Sequence, residues 1–588
     1  MADILPTWNL GHFFASNSDP ALMAAIEGII PAAAEFESLF RGRLANLDAA
    51  GFAQALAAYE RASLAPMAPY AYAHLRFAQD SMDPGNVALI ESIRQKANDA
   101  HRLTLFFNTE PDAMDDSRYS ALANHSLLAP WAHYLTHARL QKRFRLSEKE
   151  ESIIALKALT GRMALVQLYS RLTSAMRFPS PVEEGVLLTN AEILAFQKHP
   201  EREVRRRAME IFSAEYEKEK LVISTVWNAL ALDHGKEIQL RGYTHPMEPT
   251  NIGNELSPAS VSALMEVSRK NYGLAARYYR WKARTMGVDR LFSTDLVAPL
   301  GGVEAAVIPF ETAKGWVLEA FDDFSPGFGA IAKGFFDEGR VDAAPRQGKS
   351  GGAFCMAVAP QLPVYVLMNY TGKMRDAATL AHELGHGIHF TMARKQPLLE
   401  YDPVLPMAET ASVFGELLLT RRMLGQDLDP LARRNLLAER VEDIIATTFR
   451  QAMYTDFELA CHLNIAQGTM AEEEFCELWH SHLQGLYGDS VEILPGSRWT
   501  WAAIPHFIHT RFYCYAYTFG ELFVLSLYGR YKEEGRAFVP KFVKLLEAGG
   551  SRPPSILAAQ VGLNLEDPSF WQGGYDVLEE LIGELEKS

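Results

Sequence analysis

The residues with the clearest chemical content are His382, Glu383 and His386, in the stretch Thr379-Leu380-Ala381-His382-Glu383-Leu384-Gly385-His386-Gly387-Ile388-His389. The pattern is H-E-x-x-H, flanked by small and apolar residues that suit a buried helix. Positions four apart on a helix lie one above the other, so both imidazoles project from one face and can bind one zinc ion. Glu383, one residue round the turn, can reach a water on that ion. The metal lowers the pKa of such a water towards neutrality, and the carboxylate then acts as general base. This spacing predicts metal-assisted hydrolysis. The plainer alternative is a pair of core histidines on an ordinary helix, hydrogen-bonded to backbone.

A zinc site of this kind needs a third protein ligand and an open fourth position. Downstream, Pro406-Met407-Ala408-Glu409-Thr410-Ala411-Ser412-Val413-Phe414-Gly415-Glu416-Leu417 reads as a second helix, with Pro406 at its entry and Gly425 at its end. Glu409, Val413, Glu416 and Thr420 fall on one face at i, i+4, i+7 and i+11, and that face is otherwise largely apolar. A carboxylate facing a core is costly unless it is paired or bound to metal. Glu409 is therefore expected as the third ligand, and Glu416 as a partner that orients a ligating histidine. A solvated amphipathic helix with its acids in water is the alternative.

These segments resemble the oligoendopeptidase F branch of the thimet-oligopeptidase-like metallopeptidases, through the combination of HELGHGIHF with ETASVFGE. The first Glu of the family's ExxSxxxE segment is its third zinc ligand, which corresponds to Glu409. Gly348-Lys349-Ser350-Gly351-Gly352-Ala353-Phe354-Cys355 is similar to the family's glycine-rich segment, with Ser350 where Arg is usual. Pro505-His506-Phe507-Ile508-His509-Thr510-Arg511-Phe512-Tyr513-Cys514-Tyr515-Ala516-Tyr517 is similar to its HF…FYxYxY segment. The likeness runs from roughly residue 120 to the C-terminus, with the three motifs in the family's order.

Attack on an amide creates a negative tetrahedral centre, and a hydrogen-bond donor aimed at the developing oxyanion is worth about 3–4 kcal/mol. Taken as one helix, His506, His509, Tyr513 and Tyr517 share a face, while Tyr515 points elsewhere. The resemblance makes His506 the transition-state histidine and Tyr513, Tyr515 and Tyr517 the candidate oxyanion donors. The register after His506 needs a gap against the family, which leaves open which tyrosine acts. His389 and His509 are candidates for substrate or supporting contacts, with a satisfied core histidine the alternative for His389.

The elements that must position these groups are mainly helical. Ala21–Leu47, Pro84–Phe107 and Arg202–Asn228 carry helical spacing, and Ser257-Pro258 opens a helix over Ala259–Met286. Ser147 and Glu150 form a capping-box signature. Trp8 and Phe13-Phe14 are expected to dock the lead-in on the body, and His234 reads as a buried structural histidine. Pro326–Gly348 reads as a Gly/Pro-rich connection. The convincing β structure is Gly351–Ala359 and Leu362–Tyr370, directly before the HELGH stretch. Strands there could align a peptide as an added strand, with Gly351 and Gly352 allowing close backbone approach or simply making a turn.

The expected fold is thus mainly α with a small sheet beside the active-site helix. The resemblance adds two helical lobes around a deep channel. Residues 1–119 are expected as an N-terminal helical region, 120–185 as a small peptidase-associated domain and 186–588 as the catalytic domain. A hydrophobic content of 48% against 22% charged residues belongs to a globular protein with a sizeable core. The formal charge of −15 argues against nucleic acid or an anionic membrane as partner. Four scattered cysteines without CxxC spacing, no recognisable secretory signal and no long apolar run point to a cytoplasmic protein. The resulting expectation is an endopeptidase that uses one Zn2+ per chain to cut short peptides. A zinc carboxypeptidase and a non-catalytic peptide-binding protein are the alternatives.

Overall fold

The computed structural model describes residues 5–301, 307–426 and 429–587. Nearly all regular structure among them is helical, and no helix among them is long and apolar enough to cross a membrane. The chain divides into two compact units, each assembled from separated segments. The first comprises Met1–Arg143, Ala305–Asp427 and Arg530–Leu563, and the second Phe144–Glu304, Leu428–Gly529 and Asn564–Ser588.

In the first unit, Pro20–Phe40 and Pro84–Thr104 are long helices that open with Pro at the first turn behind an Asp cap. Asp19 accepts from the Ala21 amide and Asp83 from the Gly85 amide, so each cap satisfies a donor that the helix cannot. Their apolar faces meet in a core that includes Leu22, Ile26, Ile90 and Ile93. The lead-in docks there as expected. Phe13 stacks on Tyr365, Trp8 meets the same ring edge-on, and the Tyr365 hydroxyl donates to the Asn9 carbonyl.

This unit also holds a three-stranded sheet. Tyr365–Leu367 is central, with Val341–Asp342 parallel on one side and Phe354–Met356 antiparallel on the other. The strands expected in Gly351–Ala359 and Leu362–Tyr370 are present but shorter. The third strand, and the helix Pro326–Asp337 before it, lie in the stretch expected as a Gly/Pro-rich connection. Phe328, Ala332 and Phe335 bury one face of that helix. Lys349 is wholly buried and donates to Asp342 and to the Met368 and Ala344 carbonyls, which fixes the glycine-rich loop to the sheet.

The second unit is built on helices that include Arg202–Lys218, Lys220–Arg241, Phe449–Ile465 and Glu472–Tyr487. The Ser147 capping box forms with both reciprocal bonds, and Ser257 caps Pro258–Lys270. Two helices expected to be continuous break instead, one near Glu219 and the other near Asn271. His234 is structural, bonded through Nε2 to the Pro246 carbonyl.

Candidate metal centre

The helix Met374–Ala393 carries His382, Glu383 and His386, and Thr410–Leu424 packs along it in the first unit. Two glycines let the backbones approach. A Cβ on Gly385 would stand 2.5 Å from the Ala411 carbonyl oxygen, and one on Gly415 would stand 3.0 Å from the Ala381 carbonyl oxygen. Each glycine thus admits the other helix's backbone, and the contact places the carboxylates of the second segment over the histidines of the first.

Glu409 is not inside the second helix, as the sequence spacing implied, but is its N-cap residue, with φ −83° and ψ 0°. It follows a separate short turn, Leu405–Ala408. From there its Oε2 reaches 3.3 Å from His382 Nε2 and 3.4 Å from His386 Nε2, and the two Nε2 atoms are 3.2 Å apart. His382, His386 and Glu409 form a group able to hold a metal ion. Ser412 Oγ donates to Glu409 Oε2 at 2.8 Å, which fixes that carboxylate. On the far side of His382, Nδ1 lies 2.6 Å from Glu416 Oε1. A carboxylate on Nδ1 fixes the tautomer that leaves Nε2 as ligand.

The electrostatics favour a cation. Burial works against charge on His382, but the Glu416 hydrogen bond and the negative field of Glu416, Glu409 and Glu383 outweigh it, holding its pKa up to about 9. Burial likewise opposes charge on Glu409, yet His386, His382 and Ser412 bring its pKa down to about 2. Glu383 is 6% exposed, and burial raises its pKa above the ordinary carboxylate value against the pull of both histidines. A buried carboxylate of raised basicity beside a metal-ligand cluster is suited to carry protons.

His389 is buried and held neutral, its pKa lowered to about 3 chiefly by burial. The backbone of Ala408, the residue before Glu409, faces the ring and works against that shift. His389, in the fifth turn of that helix, thus stands beside the segment that presents Glu409. Gly351 and Gly352 are exposed, with open space where a Cβ would point, and Gly352 takes φ +75°. Asn369 Nδ2 donates to the Ser350 and Gly352 carbonyls and holds that turn beside the Phe354–Met356 strand.

The remaining sequence candidates lie in the second unit, where the single helix expected over His506–Tyr517 is broken. His506–His509 is one short turn and Cys514–Glu534 the next helix. Phe512 between them adopts φ +52°, a left-handed backbone that costs a non-glycine residue about 1–3 kcal/mol. Glu458 accepts from the Phe512 amide at 2.9 Å, and the buried ring lies against His462. The break brings His506, Tyr513 and Tyr517 together. His506 stacks on Tyr513, and its Nε2 is 3.4 Å from the Tyr517 hydroxyl. Tyr515 is fully buried, its hydroxyl accepting from Asn254, and His509 is exposed against Ser170. Those two do not join the cluster. The Glu458 clamp and the His389 contact were missed as such in the sequence, where an i, i+3 or i+4 spacing would have pointed only to a shared face.

Comparisons with known proteins point to one family. The profile of Peptidase family M3 matches residues 323–577, and that of Oligopeptidase F matches residues 113–178. The chain is 24% identical to oligopeptidase PepF of Bacillus subtilis, over 99% of this chain and 87% of that one. It is 26% identical to the chromosomal oligoendopeptidase F of Lactococcus lactis subsp. cremoris, over 70% and 69%. A crystal structure from Chlamydophila abortus superposes with TM-score 0.88 at 22% identity, over 98% and 97% of the two chains. That of oligoendopeptidase-F from Enterococcus faecium gives 0.70 at 21%, over 96% and 97%. The family matches and the curated relatives support a metalloendopeptidase, and the fold is the helical one of these structures. The chain belongs to peptidase family M3, in its oligoendopeptidase F branch.

Proposed function

We propose a zinc-dependent oligoendopeptidase that cuts internal bonds of short peptides, with His382, His386 and Glu409 holding one zinc ion per chain. The supporting observation is the spacing of the three donor atoms. Ligand atoms about 2.0–2.1 Å from a tetrahedral zinc stand ~3.3 Å from one another. The separations here are 3.2, 3.3 and 3.4 Å. When bound, zinc supplies Lewis acidity towards water and the scissile carbonyl.

The chain's own groups do the rest. Glu383 takes the proton of the attacking water on its carboxylate and delivers it to the leaving amine nitrogen. Glu416 keeps His382 in its ligating tautomer, and Ser412 steadies Glu409. His506, Tyr513 and Tyr517 are proposed as donors to the oxyanion, on the resemblance and on their clustering. Burial lowers the pKa of His506, with His509 adding to the effect, so the ring is neutral near pH 7 and donates one N–H. Tyr515 is a weaker candidate because its hydroxyl is already engaged.

The strand Phe354–Met356 lies at one edge of its sheet and is partly exposed, which suits pairing with an extended peptide backbone. Such recognition tolerates many side chains. The division into 1–119, 120–185 and 186–588 remains part of the proposal, supported for the middle segment by the 113–178 match. A cytoplasmic setting fits the four free cysteines. The test is mass spectrometry of the products from a ten-residue peptide, with and without a chelator. Internal fragments that vanish with chelation and return with zinc support the reading, whereas stepwise loss of C-terminal residues overturns it.

A further inference from the structure

Within the second unit, a cavity of about 140 Å³ is lined by Arg450, Thr294, Tyr454 and Tyr487. It shares no residue with the metal centre. Arg450 stands on the helix Phe449–Ile465, with Tyr454 one turn on, and Tyr487 ends the helix Glu472–Tyr487. Arg450 forms no ion pair or hydrogen bond among the described residues, and its Nε is buried without a partner. The titratable groups that face it are Tyr454, Tyr487, Tyr279 and Asp443. Thr294 is 3% exposed, and its Oγ1 is likewise buried without a partner.

The Arg450 Nε–H is buried with no acceptor, which is costly because that donor loses water and gains nothing, while the residue as a whole is half-buried. The hydroxyls beside it can all donate. A cradle of donors around one fixed positive charge selects an acceptor-only anion, and does so in a chain whose formal charge is −15. The lining also includes the apolar side chains of Trp479, Leu483 and Leu296, beside the polar Gln197 and Ser293. The Trp479 indole N–H is already given to Thr500, which leaves its ring to serve as surface. Anion cradle and apolar side chains together call for a ligand with a charged head and an apolar body. A cavity of this volume suits one benzene-sized group.

We infer that this cavity is a binding site for a small monocarboxylate with an apolar body, such as benzoate. The carboxylate sits on Arg450 with Tyr454, Tyr487 and Thr294 around it, and the body lies against Trp479. The site is independent of the proposed peptidase mechanism.

Calorimetric titration of the full chain with benzoate tests it, with benzamide, phosphate and chloride as comparators. Saturable benzoate binding is expected, with benzamide at least about tenfold weaker, since only benzoate carries the charge. Arg450→Met is expected to weaken benzoate by about ten- to a hundredfold, and Thr294→Val or Tyr487→Phe by roughly fivefold. The latter two keep the test alive if Arg450→Met does not fold. Benzoate held at the metal centre would survive all three substitutions, and that result overturns the proposal. So does the absence of saturable binding, equal binding of benzamide, or phosphate or chloride binding as tightly as benzoate.

Discussion

In the proposed site, Glu383 and Glu416 would serve the two roles open to a carboxylate beside a metal. Glu383 is buried next to the ligands and is basic enough to carry a proton, whereas Glu416 touches His382 on the nitrogen away from them. Glu383→Gln is expected to lower kcat by about 10²- to 10⁴-fold while zinc content stays at the parent level. Glu416→Ala is expected to do the reverse, weakening zinc affinity by about 10- to 100-fold, with turnover recovering as zinc is added. Paired metal analysis and peptide kinetics distinguish them. If Glu383→Gln cleaves at the parent rate, the general-base assignment fails. The grouping of His382, Glu383 and His386 was legible because H-E-x-x-H is a short pattern on one helix, whereas Glu409, singled out by its spacing and by the resemblance, stands at the N-cap and not on the helix face that spacing implied.

At the scale of elements, the close packing of Met374–Ala393 on Thr410–Leu424 is what delivers Glu409. Gly385→Ala forces a methyl against the Ala411 carbonyl and the Ser412 Cα. Overpacking of this kind costs about 1–3 kcal/mol, and a lowered Tm with reduced zinc content is expected. A second expectation concerns Glu458, which burial lifts to about 8 against the Phe512 amide and Arg511. An unfolded Glu titrates near 4.3, so between these values the folded state holds a proton that the unfolded chain lacks. Stability from this group is therefore greatest below about pH 4.3 and is lost as pH rises to about 8. Thermal unfolding at several pH values checks this, and the Tm of Glu458→Gln should gain on the parent across that window. A difference that does not change with pH would contradict it.

Elements were less legible than residues. The Pro326–Asp337 helix was hidden by its three glycines, although Ser325-Pro326 has the same start signal as Ser257-Pro258. The break at Phe512 contains no Gly or Pro. It is imposed by tertiary contacts from Glu458 and His462, which no local window contains. Helical spacing grouped Tyr513 and Tyr517 with His506, as the structure has them, but also placed His509 there, which instead meets Ser170.

For the whole molecule, the helical class was readable from periodicity, but the composition of the compact units was not. Each unit gathers three separated segments, and nothing in the local pattern of Arg530–Leu563 says that it joins residues from the first quarter of the chain. A metal bound only by the native state adds RT ln(1 + [L]/Kd) to stability, about 4 kcal/mol at a thousandfold excess over Kd. Chelation should lower the Tm of the parent and zinc should restore it, while Glu409→Ala should show little response to either in a thermal scan.

The most direct test of the three-ligand site is elemental analysis of the purified parent beside Glu409→Ala. One zinc per chain in the parent and strong depletion in the variant are expected. Full zinc retention by Glu409→Ala, or a parent that cleaves peptides while holding no divalent metal, would contradict it.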